Sequence, residues 1–382
     1  MTNSVQQNFK WGLTPKLVIL LVIFAVVPMG VIASIGVYAT YEIEKSVGKR
    51  YASQAQAIAD KIDRNLFERY GDVQAFAQNR IVQERSQWYE IGEQSNEIVK
   101  VMNAYNKTYG IYSLSIMVDL QGDVIAVNSR NADGDEIHTD LLYKKNYRNT
   151  PWFIALEKGL YTTTMPFTDK GNDISTGTYI EDVHVDQDVM LAYPDSSGLT
   201  LGFSSRVYQG EDVIGYWSNR AKFSLVEDFI QQGYRELEIA GTPHAELALL
   251  DAKGRVIIDY DPMGQETKDV LNDMDVLLKF NLAEEGFVAA KEAIAGKTGS
   301  LESIHLRKQV WQVAGYTHLK GALGYPGMNW AVLVRVPFSE AYAQAYTIHR
   351  TLMVAVLICV ALIVPLGVFA GRKVVRRLSP VM

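Results

Sequence analysis

Two uncharged apolar runs, one near each end of the chain, constrain this sequence more than any other feature. Leu17 to Tyr41 gives 25 residues without a charge, bracketed by Lys16 and Glu42. Thr351 to Gly371 gives 21, bracketed by Arg350 and Arg372. A helix crosses a bilayer core with about 20 apolar residues, so both runs qualify as transmembrane helices, at 17–41 and 351–371. A cleaved signal has an apolar region of only about 7–15 residues, so the first run reads as a retained anchor. The second, LMVAVLICVALIVPLGVFAG, is apolar all round and is followed by a basic cluster, which a buried core helix does not need. Pro28 and Pro365 fall inside the runs, where membrane helices tolerate proline better than soluble ones do.

Charge then sets an orientation. Residues 1–16 carry Lys10 and Lys16 and no acid, and residues 372–382 carry Arg372, Lys373, Arg376 and Arg377 and no acid. Basic flanks stay cytoplasmic, so both ends are expected inside and residues 42–350 outside, in the periplasm of a bacterium with an inner membrane. Those six residues leave 31 of the 37 basic residues between the spans, against all 43 acidic ones, a net charge of −12. That excludes a general nucleic-acid binder. The lone cysteine, Cys359, sits in the second span, so neither an intrachain disulfide nor a cysteine zinc cluster exists.

The exported part is long enough for two modules behind a helical stalk region, 42–110. Ile43, Val47, Tyr51, Ala55, Ile58, Ile62, Leu66, Tyr70, Val73 and Phe76 recur at steps of three and four, an apolar stripe of helical period. Such a stripe packs on its own domain, on a second subunit of a homodimer, or on both. A repeat follows. Residues 111–129 read IYSLSIMVDLQGDVIAVNS and residues 245–261 read AELALLDAKGRVIIDYD. Each is an apolar strand, an Asp-x-x-Gly turn and a second strand, with Asp119 and Gly122 matching Asp251 and Gly254. Aspartate accepts local backbone N–H groups and glycine takes positive φ in such turns. Two copies 132 residues apart predict a duplicated module, 111–235 and 236–350, each an antiparallel sheet with helices, in an α+β fold. Residues 198–221 and 308–337 supply the closing strands, and 222–240 a helix between the modules.

This arrangement resembles the double Cache sensor domain of bacterial chemoreceptors, the methyl-accepting chemotaxis proteins. YRNTPWF (147–153), VIGYWSNRA (213–221) and WAVLVRVPFSEAY (330–342) carry the local likeness, and RRLSPVM at the end resembles the opening of a HAMP linker, with Pro380 in its place. The resemblance implies two PAS-like modules, a homodimer, a small-molecule ligand in the membrane-distal module and no enzymatic activity of the chain itself. A chemoreceptor continues into a cytoplasmic signalling coiled coil, so the chain reads either as part of a longer receptor or as a shortened protein without its own output. The same input domain serves histidine kinases and diguanylate cyclases, and a membrane-anchored binding protein is a third reading.

The amino-acid-binding branch of that family holds the ligand carboxylate with an arginine before an aromatic pair and its ammonium with a later aspartate. Trp152 and Phe153 match the pair, but Thr150 stands at the arginine position, with Arg148 two residues earlier, and the aspartate position falls at Arg220, or at Asn219 one residue out of register. Asp169 matches another acidic position. Arginine in place of an acid attracts a carboxylate and repels an ammonium, so a carboxylate facing Arg148 or Arg220 is expected, with Tyr147, Trp152, Phe153 and Tyr179 excluding water. An ion pair of Arg220 with Asp182 or Asp186 is the structural alternative, and an amine held by Asp169 and Asp182 the rival ligand. The acidic run through Asp169, Asp173, Glu181, Asp182, Asp186 and Asp188 lacks the spacing of a calcium loop and reads as a solvated loop. Gly296-Lys297-Thr298 lacks the first glycine of a phosphate-binding loop and reads as a helix–strand turn. No cofactor motif, metal-ligand spacing or catalytic triad stands out.

Overall fold

The computed structural model describes residues 13–168 and 176–378; Asp169 and Pro380 lie outside them. It divides into two compact units, one formed by the two ends up to residue 47 and from residue 338, the other by residues 48–337.

Helix α1 runs Leu13–Ala77 and α2 Glu97–Tyr109. A first module follows with strands β1 (Tyr112–Val118) and β2 (Val124–Val127) and helix α3 (Pro151–Glu157). Strand β3 (Tyr179–Val185), helix α4 (Gln187–Ala192) and strands β4 (Leu199–Gln209) and β5 (Asp212–Lys222) complete it. Helix α5 (Ser224–Ile239) leads to strands β6 (Glu246–Leu250) and β7 (Val256–Tyr260) and the short helix α6 (Pro262–Gln265). Then come α7 (Val288–Ile294), β8 (Gly299–Ile304), β9 (Trp311–His318) and β10 (Ala331–Pro337). Helices α8 (Phe338–Ala341) and α9 (Ala343–Leu378) close the chain.

The two antiparallel sheets have orders β2-β1-β5-β4-β3 and β7-β6-β10-β9-β8, the same topology twice. The Asp-x-x-Gly turns form as their chemistry requires. Asp119 Oδ1 accepts the backbone N–H groups of Gln121 and Asp123, and Asp251 Oδ1 those of Lys253 and Arg255. Gly122 and Gly254 both have φ of 88°, a region that side chains disfavour. The turn at 296–298 does join a helix to a strand, α7 to β8.

The apolar stripe of α1 is spent on the chain's own sheets. Tyr51, Ala55, Ile58, Ile62, Leu66, Val73 and Phe76 are all buried. Phe76 meets Trp217 of β5 edge-on, with ring centroids 6.3 Å apart. Gly315 of β9 lies under the backbone of α1, where a Cβ would collide with the Tyr51 carbonyl group. The stalk region is not one helix: α1 stops at Ala77, where the stripe also ends, and Asn79 accepts the N–H of Ile81 to start a 3-10 turn. Within the end unit, α1 and α9 are each long and apolar enough to cross a membrane. They meet at Gly36, where a Cβ would collide with Leu352 Cδ1, so a missing side chain permits the approach.

Candidate functional site

Strand alternation gives the first sheet one face toward α1 and another toward α3 and α4. Asn219 points to the α1 face, where it accepts hydrogen bonds from Ser115 Oγ (2.9 Å) and Trp217 Nε1 (2.7 Å). Its neighbour Arg220 therefore points to the opposite face, into a pocket of about 190 Å³ beside α3 and α4.

Arg220 is 3% exposed and reaches that pocket in company. Its Nε donates to Asp186 Oδ2 at 2.7 Å and its Nη1 to Ser218 Oγ at 2.6 Å, with Glu181 Oε2 2.9 Å from Nη1. The register explains the meeting: Glu181 of β3 pairs with Gly202 of β4, which pairs with Arg220 of β5. Gly202 keeps the path open, because a Cβ there would lie 2.6 Å from Glu181 Oε2 and 2.9 Å from Arg220 Nη1. Asp186 comes from the N-cap of α4, where its Oδ1 also accepts the N–H groups of Asp188 and Val189. Asp188 is held by Tyr147 Oη at 2.8 Å and by Lys145.

Burial opposes charge on Asp186, but the hydrogen bond from His184 and the Arg220 charge outweigh it and hold its carboxyl well below the usual range. Burial likewise opposes charge on His184, and its contacts with Asp186 and the Asp182 carbonyl overcome that and raise its pKa. The Arg220 guanidinium, disfavoured by burial, is kept charged by Glu181 and Asp186.

Two polar atoms of the pocket remain without a hydrogen-bond partner: the acceptor Glu181 Oε2, close to Arg220 but misaligned with its N–H, and the donor Trp152 Nε1. Trp152 lies under the Arg220 guanidinium, 5.8 Å from ring centre to Cζ, and 5.7 Å from the Tyr147 ring.

Among the residues expected at the site, Tyr147, Trp152 and Arg220 line one pocket. Phe153 is buried beneath it in the core and packs edge-on against Tyr216. Tyr179 stands against Phe167, and Arg148 is exposed outside the lining. Asp182 faces away and accepts Trp330 Nε1 of the second module at 3.0 Å. Glu181, Asp186 and Asp188, read from sequence as part of a solvated acidic loop, line the pocket together with His184. A strand β3 rather than a loop carries Glu181 and His184, and the aromatic and β-branched residues of 179–185, Tyr179, Ile180, Val183 and Val185, were the signal for it. Arg220 is ion-paired within the protein, with Glu181 and Asp186, and a third carboxylate, Asp188, also lines the pocket.

No family model and no curated protein matches the chain. Solved structures do. The extracellular domain assigned to a histidine kinase, vpHK1S-Z8, matches with a TM-score of 0.50 and 11% identity over 80% of this chain and 96% of that one. The ligand-binding domain of the Pseudomonas fluorescens chemoreceptor CtaA, solved with L-isoleucine, matches with a TM-score of 0.47 and 13% identity over 80% of this chain and 98% of that one. That of the Pseudomonas aeruginosa PAO1 amino acid chemoreceptor PctB, solved with L-Arg, matches with a TM-score of 0.47 and 15% identity over 80% and 93%. At these identities the likeness is one of fold: residues 48–337 have the double Cache-like architecture of extracytoplasmic sensor domains.

Proposed function

We propose that the chain is the input part of a two-pass bacterial receptor of the inner membrane, with a periplasmic double Cache domain that binds a small molecule carrying a protonated amine in its first, membrane-distal module. The observation that carries the ligand class is the buried Glu181 Oε2, which accepts no hydrogen bond although the Arg220 charge stands 2.9 Å away, in a pocket lined by three carboxylates. An ammonium supplies the missing donor, and the orphan Trp152 N–H offers a second point of attachment for an acceptor on the same ligand. Amino acids and small amines fit that pair; a simple monocarboxylate does not, since Glu181, Asp186 and Asp188 repel it.

Calorimetry of the receptor against a panel of amino acids, amines and monocarboxylates tests this. A charge-assisted hydrogen bond contributes about 1.5–3 kcal/mol, so Glu181→Gln is expected to weaken the best amine roughly ten- to a hundredfold. Selection of a plain carboxylate, or unchanged amine affinity in the variant, refutes the assignment.

The basic ends and acidic middle support the orientation, and α9 leads out of β10 through α8 toward the cytoplasm, so ligand binding is read there as a bias between two positions of that helix. Chemotaxis signalling as a homodimer is the output we favour. With the apolar stripe of α1 turned inward, the dimer contact falls to its polar face, with Gln56, Asp60 and Arg64 exposed. Compartment reporters fused after Gly110 and after Met382 should report opposite sides of the membrane; the same side for both removes the two-pass reading.

A further inference from the structure

The second module holds a cavity that the first site does not account for. It measures about 180 Å³ and lies between β10, β9 and the segment that follows β7. Its walls are apolar: Val256, Val276, Phe280, Leu282, Phe287 and Leu306. One end is polar, formed by Arg335, Arg307, Gln312, His305 and Asp259. We propose that this cavity is a second ligand site, independent of the first, for a small apolar molecule with a single carboxylate.

The polar atoms still free at that end include a buried donor. Arg335 is 5% exposed, and its Nε has no hydrogen-bond partner. Its Nη2 is shared between Asp259 Oδ1 and Glu246 Oε2, both at 3.2 Å. Its Nη1 stands 3.4 Å from His305 Nε2. That contact joins two donors. His305 Nδ1 accepts the backbone N–H groups of Arg307 and Lys308, so the proton sits on Nε2, which donates to Glu246 Oε2 at 2.8 Å.

Each carboxylate oxygen of Asp259 and Glu246 already has a donor. Asp259 receives Arg335 on Oδ1 and Arg307 on Oδ2 at 2.8 Å, and Glu246 receives His305 and Lys308. Unused capacity at this end is therefore donor capacity: Arg335 Nε, the remaining N–H groups of Arg307, and Gln312 Nε2, whose nearest partner, Ser303 Oγ, is 3.5 Å away. A buried donor without an acceptor is costly, and an incoming carboxylate oxygen satisfies it. Arg335 and Arg307 line the cavity with one acid, Asp259, while Glu246 pairs with Arg335 from outside the lining. The apolar walls have room for one ring or a short branched chain. An engineered apolar cavity of about 150 Å³ accepts benzene, which sets the scale. The two modules thus differ in sign, the first with a spare acceptor among acids, the second with spare donors beside apolar walls.

Phenylacetate is the probe, titrated calorimetrically into the full chain in lipid nanodiscs, with 2-phenylethanol as its neutral counterpart. Saturable binding of phenylacetate is expected, at least tenfold tighter than the alcohol. Val276→Trp, which fills the cavity, should abolish it; Leu306→Trp serves the same end if the first variant does not fold. Arg307→Ala should weaken it about tenfold, the loss of one charged hydrogen bond. Glu181→Gln in the first module should leave it unchanged, which separates this site from the amine site. The proposal is overturned if phenylacetate does not saturate, if the alcohol binds equally well, if binding survives a filled cavity, or if it follows Glu181.

Discussion

Replacing Arg220 by alanine is expected to lower the unfolding free energy of residues 48–337 by about 3–5 kcal/mol, the effect of stripping one partner from a buried ion pair. Glu181 and Asp186 would be left facing each other behind Trp152 with no cation between them. The size comes from the uncompensated charge rather than from the strength of the pair, so neutralising all three residues tests the cause. Arg220→Met combined with Glu181→Gln and Asp186→Asn should recover most of the loss.

The pH dependence has a definite sign. In the parent, Asp186 has a depressed folded pKa, so its contribution is complete above the unfolded value, about 3.9, and is lost only as pH falls through the lower folded value. In Arg220→Ala Asp186 loses the cation's share of that lowering and keeps the share from His184 and the Val189 N–H, so protonation relieves the variant at a higher pH than the parent. The gap between parent and variant should therefore narrow as pH falls from 7 toward 3. Urea unfolding of the two proteins across that range measures it. A loss under about 1 kcal/mol at pH 7, the range of an exposed pair, would mean that solvent already screens the guanidinium.

The second large effect concerns the contact between the two modules. Trp330 is fully buried, stands edge-on to Phe223 at 6.2 Å, and donates its indole N–H to Asp182. Trp330→Ala is expected to cost about 3–5 kcal/mol from lost packing. Trp330→Phe keeps most of the apolar volume and removes only the donor, so it isolates the hydrogen bond.

Asp182 is the opposite of Asp186. Burial pushes its carboxyl up to about 6, against the hydrogen bonds from the Val183 N–H and Trp330, with Asp251 raising it further and Arg255 lowering it. Asp63 of α1 is also pushed up to about 6 by burial, although its Oδ2 accepts the N–H groups of Lys320 (3.0 Å) and Gly321 (2.9 Å). A carboxyl whose folded pKa exceeds its unfolded one destabilises the fold when ionised. The penalty is absent below about 3.9, grows through the interval and is complete above about 6. His184, raised as well, adds stability that is present below its unfolded value and lost as pH rises through the folded one.

All three groups make residues 48–337 more stable at pH 5 than at pH 7.5, by a few kcal/mol, since a tenfold difference in proton affinity between folded and unfolded chain is worth about 1.4 kcal/mol. Asp182→Asn and Asp63→Asn should each raise stability at pH 7.5 and flatten the slope, while Trp330→Phe should steepen it by removing a donor to the ionised carboxylate. Thermal unfolding at the two pH values decides. A parent protein equally stable at both, or asparagine variants with an unchanged slope, would show that water reaches these carboxyls.

The features legible in the sequence are those fixed locally. Two runs of apolar residues determine two helices able to span a bilayer, whatever lies between them. The stripe ending at Phe76 determines the amphipathic part of α1, and the helix ends one residue later. The turns at Asp119 and Asp251 are set by a carboxylate within reach of its own backbone and a glycine free to take positive φ, so the duplication could be read without any knowledge of the sheets.

The site was not local in this sense. Glu181 and Arg220 are 39 residues apart in number and meet only because β3, β4 and β5 pair in a register that passes through Gly202. Within β3 a register shift between Glu181 and His184 breaks strict alternation, so both line the pocket while Asp182 between them turns to Trp330 of the other module. Strand periodicity assigns side chains to two faces but cannot say where a bulge exchanges them, nor which strand supplies the counter-charge. The sequence alone determined that a charged residue stands at position 220 of a sensor-like module. Whether that charge is offered to a ligand or matched within the protein was decided by the pairing of distant strands, because the energy of a buried ion depends on what surrounds it in space rather than along the chain.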